Sequence, residues 1–237
     1  MTERPSVRAR RNISSVALGV WHYVRRAPGT MIWLAILFAT TAVAHSLSPE
    51  HLHVVLGNRS TNLHHLAEDP LRVLLLSALW IDGGLWVSYL FLYNIFHVPA
   101  ERWLGTLRWL WVVAVAHVGA TYISEGVLYM AIRDGVARPS AVNTLDVGVS
   151  YALAGVVGVL TYRIATPWRY VYLLGALGWY GLGFVGRITF TDIGHFTALL
   201  LGLACYPLTR ANREVWDPVE TLKSWFEHTG TSGQEQH

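Results

Sequence analysis

Apolar residues recur in six long stretches along this chain, and polar segments separate them. Each stretch approaches the ~20 residues that an α-helix needs to cross the hydrocarbon core of a bilayer. The six predicted spans, numbered in chain order, cover residues 31–47, 81–99, 106–125, 145–165, 168–187 and 192–209. The pattern therefore predicts an all-α, polytopic membrane protein with six transmembrane helices.

Polar segments flank the predicted spans and divide the chain into three parts. Residues 1–30 form a basic arm, residues 31–209 the membrane domain, and residues 210–237 a polar tail whose last nine residues, Thr-Gly-Thr-Ser-Gly-Gln-Glu-Gln-His, are predicted to be disordered. Residues 12–28 fit either an amphipathic helix on the bilayer surface or a solvated arm. Residues 71–79 are apolar but too short to cross a bilayer, and they predict a helix lying in the outer leaflet.

Composition supports the membrane class and argues against two others. Hydrophobic residues make up 53% of the 237 residues and charged residues only 14%, whereas ordinary soluble domains are less apolar and more charged. The 18 basic residues cluster at the ends of the predicted spans, so nucleic acid is not a predicted partner. The single cysteine, Cys205, rules out an intrachain disulfide and a cysteine-pair metal site.

The distribution of basic residues predicts the orientation of the chain in the membrane. With the N-terminus in the cytoplasm, 13 Arg and Lys residues lie on the cytoplasmic side and five on the outer side. Cytoplasmic loops carry the excess of basic residues in membrane proteins. The sequence therefore predicts a multi-pass protein of the inner (plasma) membrane, in contact with the lipid bilayer, with both termini in the cytoplasm.

Two reactive side chains lie near the starts of spans 4 and 6. Both spans run from outside to inside, so Ser150 and His195 should lie at a similar depth. Small residues such as Gly155, Gly158 and Gly202 let the two backbones approach closely. A serine hydroxyl becomes a nucleophile when a base within about 2.6–3.2 Å takes its proton. The spacing fits such a pair, and it also fits two side chains that each satisfy a local backbone group.

The motifs around these residues resemble those of a known family. Gly-x-Ser150-x-Ala-x-x-Gly-x-x-Gly is followed two spans later by Gly-His195-x-x-Ala-x-x-x-Gly, and Glu101-Arg-Trp-Leu-Gly105 ends span 2. This order and spacing, over about residues 31–209, is similar to the rhomboid intramembrane serine proteases. The resemblance implies a six-helix rhomboid-like bundle with Ser150 as nucleophile and His195 as general base, without a carboxylate. It also implies transmembrane segments as substrates, cut near the outer leaflet, with no cofactor.

The chain departs from the family pattern in span 2. Rhomboid proteases usually carry His-x-x-x-Asn there to hold the oxyanion; counted back from Glu101, these positions fall near Leu85 and Tyr89. Tyr151 also follows the serine where the family has a small residue, and the first outer loop lacks the family's Trp-Arg pair. Losing an oxyanion donor costs about 10²–10³ in rate. We therefore expect slow cleavage, and the alternative is an inactive rhomboid-like protein that binds client transmembrane helices.

Polar side chains elsewhere in the spans are candidates for supporting this site. The possible supporting residues are His117, Glu125, Asp146 and Asp82. Asp82, His117 and Asn94 are also the candidates for replacing the missing oxyanion donors. The simplest interpretation of His117 and Glu125 is a hydrogen bond that holds span 3 to span 4.

A second function class for the same polar residues is ion handling, in which they relay protons or bind a divalent metal. No helix presents a compact ligand pair such as His-x-x-x-His, so a metal site is not predicted.

Overall fold

The computed structural model describes residues 18–83, 85–212 and 214–231, and within these ranges the chain is helical without a β-strand. The α-helices are α1 (Pro28–Ser46), α2 (Pro49–Gly57), α3 (Leu63–Glu68), α4 (Pro70–Ser77), α5 (Trp86–Leu92), α6 (Val98–Leu104), α7 (Thr106–Arg133), α8 (Val149–Leu160), α9 (Trp168–Gly181), α10 (Phe190–Ala204) and α11 (Pro218–Thr231). Residues 18–25 are also helical, within the predicted surface segment, whose residues 12–17 lie outside the described ranges.

Each predicted span contains a helix, but most of these helices are shorter than a full crossing. Of the described helices, α1 and α7 are long and apolar enough to cross a membrane. The shorter apolar helices α8 and α10 occupy predicted spans 4 and 6. Single 3₁₀ turns extend α8, α9 and α10, at Thr161–Arg163, Leu182–Phe184 and Tyr206–Thr209. The structure thus shows a helical bundle, and six crossings remain a prediction.

Predicted span 2 begins later than its apolar sequence suggested. Residues 81–83 and 85 lie outside any helix, because the neighbouring glycines at 83 and 84 disfavour helix formation. Helix α5 starts at Trp86 and continues through one π-helical turn, Tyr93–His97, into α6. Asp82 therefore does not open a helix; it is exposed in the segment that precedes one.

Helix α8 forms the centre of the bundle, packed against α7 and α10. Every residue of α8 except Ser150 is buried. Added methyl groups show how closely the backbones approach: a Cβ on Gly202 would collide with the Gly155 carbonyl, and one on Gly158 with the Leu199 carbonyl. The small residues thus provide the close approach that the sequence predicted.

The α6–α7 turn and the start of α1 are joined by one buried carboxylate. Glu101 is 1% exposed and accepts hydrogen bonds from the Gly29 and Thr30 amides and from the Thr30 and Thr106 hydroxyls, at 2.7–2.8 Å. Gly105 follows with a φ of 81°, a conformation that side chains other than glycine disfavour. The Glu-x-x-x-Gly segment therefore anchors three helices.

The short apolar segment predicted at residues 71–79 is helical as α4. Asp69 caps this helix by accepting a hydrogen bond from the Arg72 amide, and the Trp33 indole donates to the Ala78 carbonyl just beyond its end. Leu71 and Leu75 are exposed on one face, while Val73 and Leu74 are buried. Helix α4 thus packs one face against the bundle and leaves the other apolar face open.

The C-terminal part of the chain is more structured than a polar tail. Trp216 joins the end of predicted span 4, because its amide donates to the Arg163 carbonyl and its carbonyl accepts from the Ala165 amide. Helix α11 then extends to Thr231, so the disorder predicted from residue 229 onward is wrong for residues 229–231. Residues 232–237 lie outside the described ranges.

Candidate active site

Ser150 is the second residue of α8, and Gly148 forms the N-cap. The amides of a helix's first turn have no intrahelical acceptor, and the helix dipole favours negative charge beside them. Gly148 is required at the cap because the His117 ring occupies the space that a Cβ would fill. The start of α8 therefore combines a hydroxyl with a local environment that favours an anion.

His195 lies in the second turn of α10, whose start is fixed by a capping box. The Thr189 hydroxyl accepts from the Asp192 amide at 3.2 Å, and the Asp192 carboxylate accepts from the Thr189 amide at 2.9 Å. The His195 ring meets the ring of Tyr151 edge-on at 5.0 Å between centroids and lies 6.1 Å from that of Tyr180. Two aromatic contacts thus hold the imidazole in place.

Ser150 and His195 form a direct side-chain contact. The distance from Ser150 Oγ to His195 Nε2 is 2.9 Å, within hydrogen-bond range. Both side chains are partly buried, each with part of its surface open to a cavity. With Nε2 unprotonated, the imidazole accepts the serine proton, which is the arrangement that nucleophilic catalysis needs.

The pair lies on the wall of a cavity of about 470 Å³. Helices α5, α8, α9 and α10 supply its walls through Tyr89, Leu92, Ser150, Leu153, Trp179, Tyr180, Asp192 and His195, with Leu182 and Gly183 from the turn after α9. A second, apolar groove of about 450 Å³ runs between α5, α8 and α9 and shares Leu92, Leu153, Trp179 and Tyr180 with this cavity. The two spaces are therefore neighbours with part of their walls in common.

A family model described as rhomboid-like protein matches residues 22–215 of the chain. The chain belongs to the rhomboid-like protein family. Neither a curated protein nor a solved structure matches it. Family membership makes this rhomboid-like protein a membrane protein, in agreement with the two long apolar helices α1 and α7.

Asp82 and Asn94 do not line the cavity of this rhomboid-like protein. Asp82 is exposed outside the helices. The Asn94 amide donates to the Leu90 carbonyl at 2.7 Å and accepts from the Tyr23 hydroxyl at 2.6 Å. Neither residue therefore faces the cavity that contains the dyad.

His117 is buried and is already hydrogen-bonded. Its Nε2 lies 2.8 Å from the Leu74 carbonyl oxygen and 3.4 Å from the Ser77 hydroxyl, both in α4. The ring also lies directly against Gly148 at the start of α8, so His117 joins span 3 to span 4, and these hydrogen bonds connect it in addition to α4. The sequence missed this partner because the docking of α4 depends on tertiary structure.

Glu125 and Asp146 are both buried, 1% and 4% exposed, and neither lines the cavity. The Asp146 carboxylate accepts from the Thr61 hydroxyl at 3.3 Å. Neither carboxylate oxygen of Glu125 has a hydrogen-bond partner among the described residues, so its expected bond to span 4 is not formed there. Across the same ranges, no group of three or more His, Cys, Asp or Glu side chains is arranged to hold a metal ion.

Two tyrosines on the cavity wall were not among the candidate residues. Tyr89 comes from α5 and Tyr180 from α9. Tyr89 occupies the position at which the family pattern has its asparagine, so its sequence position was a usable signal. Tyr180 had no such signal, since nothing in its local sequence indicates which way it faces.

Proposed function

We propose that this rhomboid-like protein is an intramembrane serine endopeptidase in which Ser150 is the nucleophile and His195 the general base. The observation that carries the proposal is the 2.9 Å contact between Ser150 Oγ and His195 Nε2 at the wall of an open cavity. A serine that only satisfied its own helix would not need an imidazole partner from a helix two predicted spans away.

The chemistry follows from this pair. Ser150 Oγ attacks the scissile carbonyl carbon while His195 Nε2 takes the hydroxyl proton, and the imidazolium then gives that proton to the leaving amine. Water, deprotonated by the same imidazole, hydrolyses the acyl-enzyme and releases the serine. Among the described residues no carboxylate is hydrogen-bonded to His195, and the aromatic contacts from Tyr151 and Tyr180 orient the ring.

The substrates we propose are transmembrane segments of other proteins. The groove next to the cavity is lined by apolar and aromatic side chains of α5, α8 and α9, which suits contact with apolar side chains of a transmembrane segment. Helix α9 is loosely covered, with Ala176 as its one buried residue, so a substrate can reach the groove beside it. The protein would be multi-pass in the plasma membrane with both termini in the cytoplasm, which places the dyad near the outer leaflet.

A second candidate is a client-binding protein without proteolysis. It is favoured by Leu85 and Tyr89, which stand where the family has its His-x-x-x-Asn oxyanion donors. In that case the same apolar groove would hold a client helix and the serine would stay unreacted.

The decisive experiment combines a fluorophosphonate probe, which labels activated serines, with cleavage of reconstituted transmembrane substrates. We expect wild-type protein to be labelled and to cleave, with both activities lost in Ser150→Ala and His195→Ala. Ser46→Ala is the matched control, because Ser46 is exposed at the end of α1 and its hydroxyl donates to the Val43 carbonyl. Substrate binding that survives both dyad substitutions, without any labelling or cleavage in wild type, would support the client-binding role instead.

A further inference from the structure

A serine endopeptidase has to stabilise the negative charge that develops on the scissile carbonyl oxygen. Hydrogen-bond donors that point at this oxygen in a site shielded from water supply that stabilisation. Helix geometry provides one set here, the amides of Val149 and Ser150 at the start of α8, which have no intrahelical acceptor, whereas the Tyr151 amide already donates to the Gly148 carbonyl. Side-chain donors must come from the residues that line the cavity, because Asp82, His117 and Asn94 lie elsewhere.

The cavity wall contains two phenol groups whose hydroxyls are unused. Neither the Tyr89 nor the Tyr180 hydroxyl makes a hydrogen bond within the described part of the chain. Both residues are partly buried, so their rings are packed while part of each faces the cavity. A packed side chain with a free donor is already oriented and loses little entropy when it binds an anion.

The placement of the two tyrosines connects them to the dyad. Tyr180 lies 6.1 Å from the His195 ring, centroid to centroid, and Tyr89 lines the same cavity from α5. The two phenols therefore stand together on the cavity wall formed by α5 and α9, near the histidine that accepts the serine proton.

The other side chains on or near this wall are less suited to the task. Asp192 only accepts hydrogen bonds when ionised, and its carboxylate already caps α10. The Trp179 indole is 73% exposed, so its N–H is not held in a dry, fixed position. The Tyr151 hydroxyl belongs to a fully buried side chain that does not line the cavity.

We propose that the hydroxyls of Tyr89 and Tyr180 donate hydrogen bonds to the oxyanion formed when Ser150 attacks, replacing the donors that the family carries in span 2. The inference rests on the proposed protease function. The phenols transfer no proton in this step; each O–H donates while the negative charge exists and is released when the carbonyl re-forms.

The test measures kcat and KM for cleavage of a reconstituted transmembrane substrate by Tyr89→Phe, Tyr180→Phe and the double variant. Phenylalanine keeps the ring packing and removes only the donor. We expect kcat to fall about 10²-fold in the variant that loses the stronger hydrogen bond to the oxyanion, and further in the double variant. KM should stay within about twofold of wild type, and the melting temperature should not change. Tyr122→Phe is the matched control, because Tyr122 is 51% exposed on α7.

The outcomes separate this inference from the protease function itself. Wild-type cleavage that depends on Ser150, with kcat unchanged in all the tyrosine variants, would overturn the phenol assignment and leave the protease intact. A rise in KM at constant kcat would also overturn it, because it would make the tyrosines substrate-binding residues. If wild-type protein is neither labelled by the serine probe nor active, both proposals are wrong together.

Discussion

Two glutamates of this chain are equally buried but have opposite surroundings. Glu101 and Glu125 are each 1% exposed. Glu101 accepts four hydrogen bonds from α1 and the start of α7, whereas both oxygens of Glu125 lack a hydrogen-bond partner within the described ranges. A buried carboxyl group costs free energy unless hydrogen bonds replace its water. Burial alone therefore does not reveal which of the two holds the fold together.

The same substitution should have different effects at these two sites. Glu101→Gln replaces an acceptor oxygen with an NH₂ group that faces other donors, and we expect the free energy of unfolding to fall by about 2–3 kcal/mol. Glu125→Gln disturbs no hydrogen bond to the described residues, so we expect that free energy to stay within about 1 kcal/mol of wild type. Denaturant unfolding in detergent measures both. An equal loss at Glu125 would show that a bound water or ion satisfies this carboxyl group.

At the scale of helices, the dyad depends on how closely α8 and α10 approach. Ser150 and His195 sit near one end of this pair of helices, while Gly155, Gly158 and Gly202 form the contact below them. Backbone touches backbone there, so no side chain can adjust to relieve strain. A change of about one methyl group is therefore transmitted to the whole helix pair.

Gly202→Ala should disrupt this contact. The added methyl group meets the Gly155 backbone, and we expect a loss of about 1–3 kcal/mol in stability together with much weaker labelling of Ser150. The matched control is Gly178→Ala on α9, where a Cβ meets nothing within 4 Å and higher helix propensity should stabilise by up to about 1 kcal/mol. Thermal melting and probe labelling report the two effects, and similar behaviour of the two variants would contradict the tight contact.

The sequence could predict features that depend on a single helix, or on two residues lying at the same depth in the membrane. Ser150 and His195 could be paired because their spans run in the same direction and carry small residues. The partner of His117 could not be predicted, since Leu74 belongs to a short helix whose docking is set by tertiary packing. The roles of Tyr89 and Tyr180 could not be predicted for a similar reason. The π-helical turn at Tyr93–His97 and the rotation of α9 about its axis decide which side chains reach the cavity.

At the scale of the whole molecule, the position of the dyad in the membrane depends on the orientation of the chain. The 13-to-5 division of basic residues predicts that the turn after α8 faces the cytoplasm and the segment before α8 faces outside. The dyad lies at the start of α8, so this orientation puts it near the outer surface.

Cysteine accessibility can test the orientation in intact cells. On a Cys205→Ser background, Thr166→Cys and Ser140→Cys place single thiols at exposed positions on opposite ends of α8. We expect a membrane-impermeant maleimide to label the cysteine at 140 in intact cells and the one at 166 only after permeabilisation. The reverse pattern would move the dyad to the cytoplasmic face and change which part of a substrate it could cut.

Helices α8 and α9 should differ sharply in how much sequence variation they tolerate. Every residue of α8 except Ser150 is buried, whereas Ala176 is the one buried residue of α9. A larger side chain almost anywhere on α8 has no space to enter, while most positions of α9 can accept one of similar polarity. Over evolutionary time, neutral drift should therefore accumulate along α9 and reshape the entrance to the groove while α8 stays nearly constant. Substrate preference could then diversify without altering the helix that carries the nucleophile.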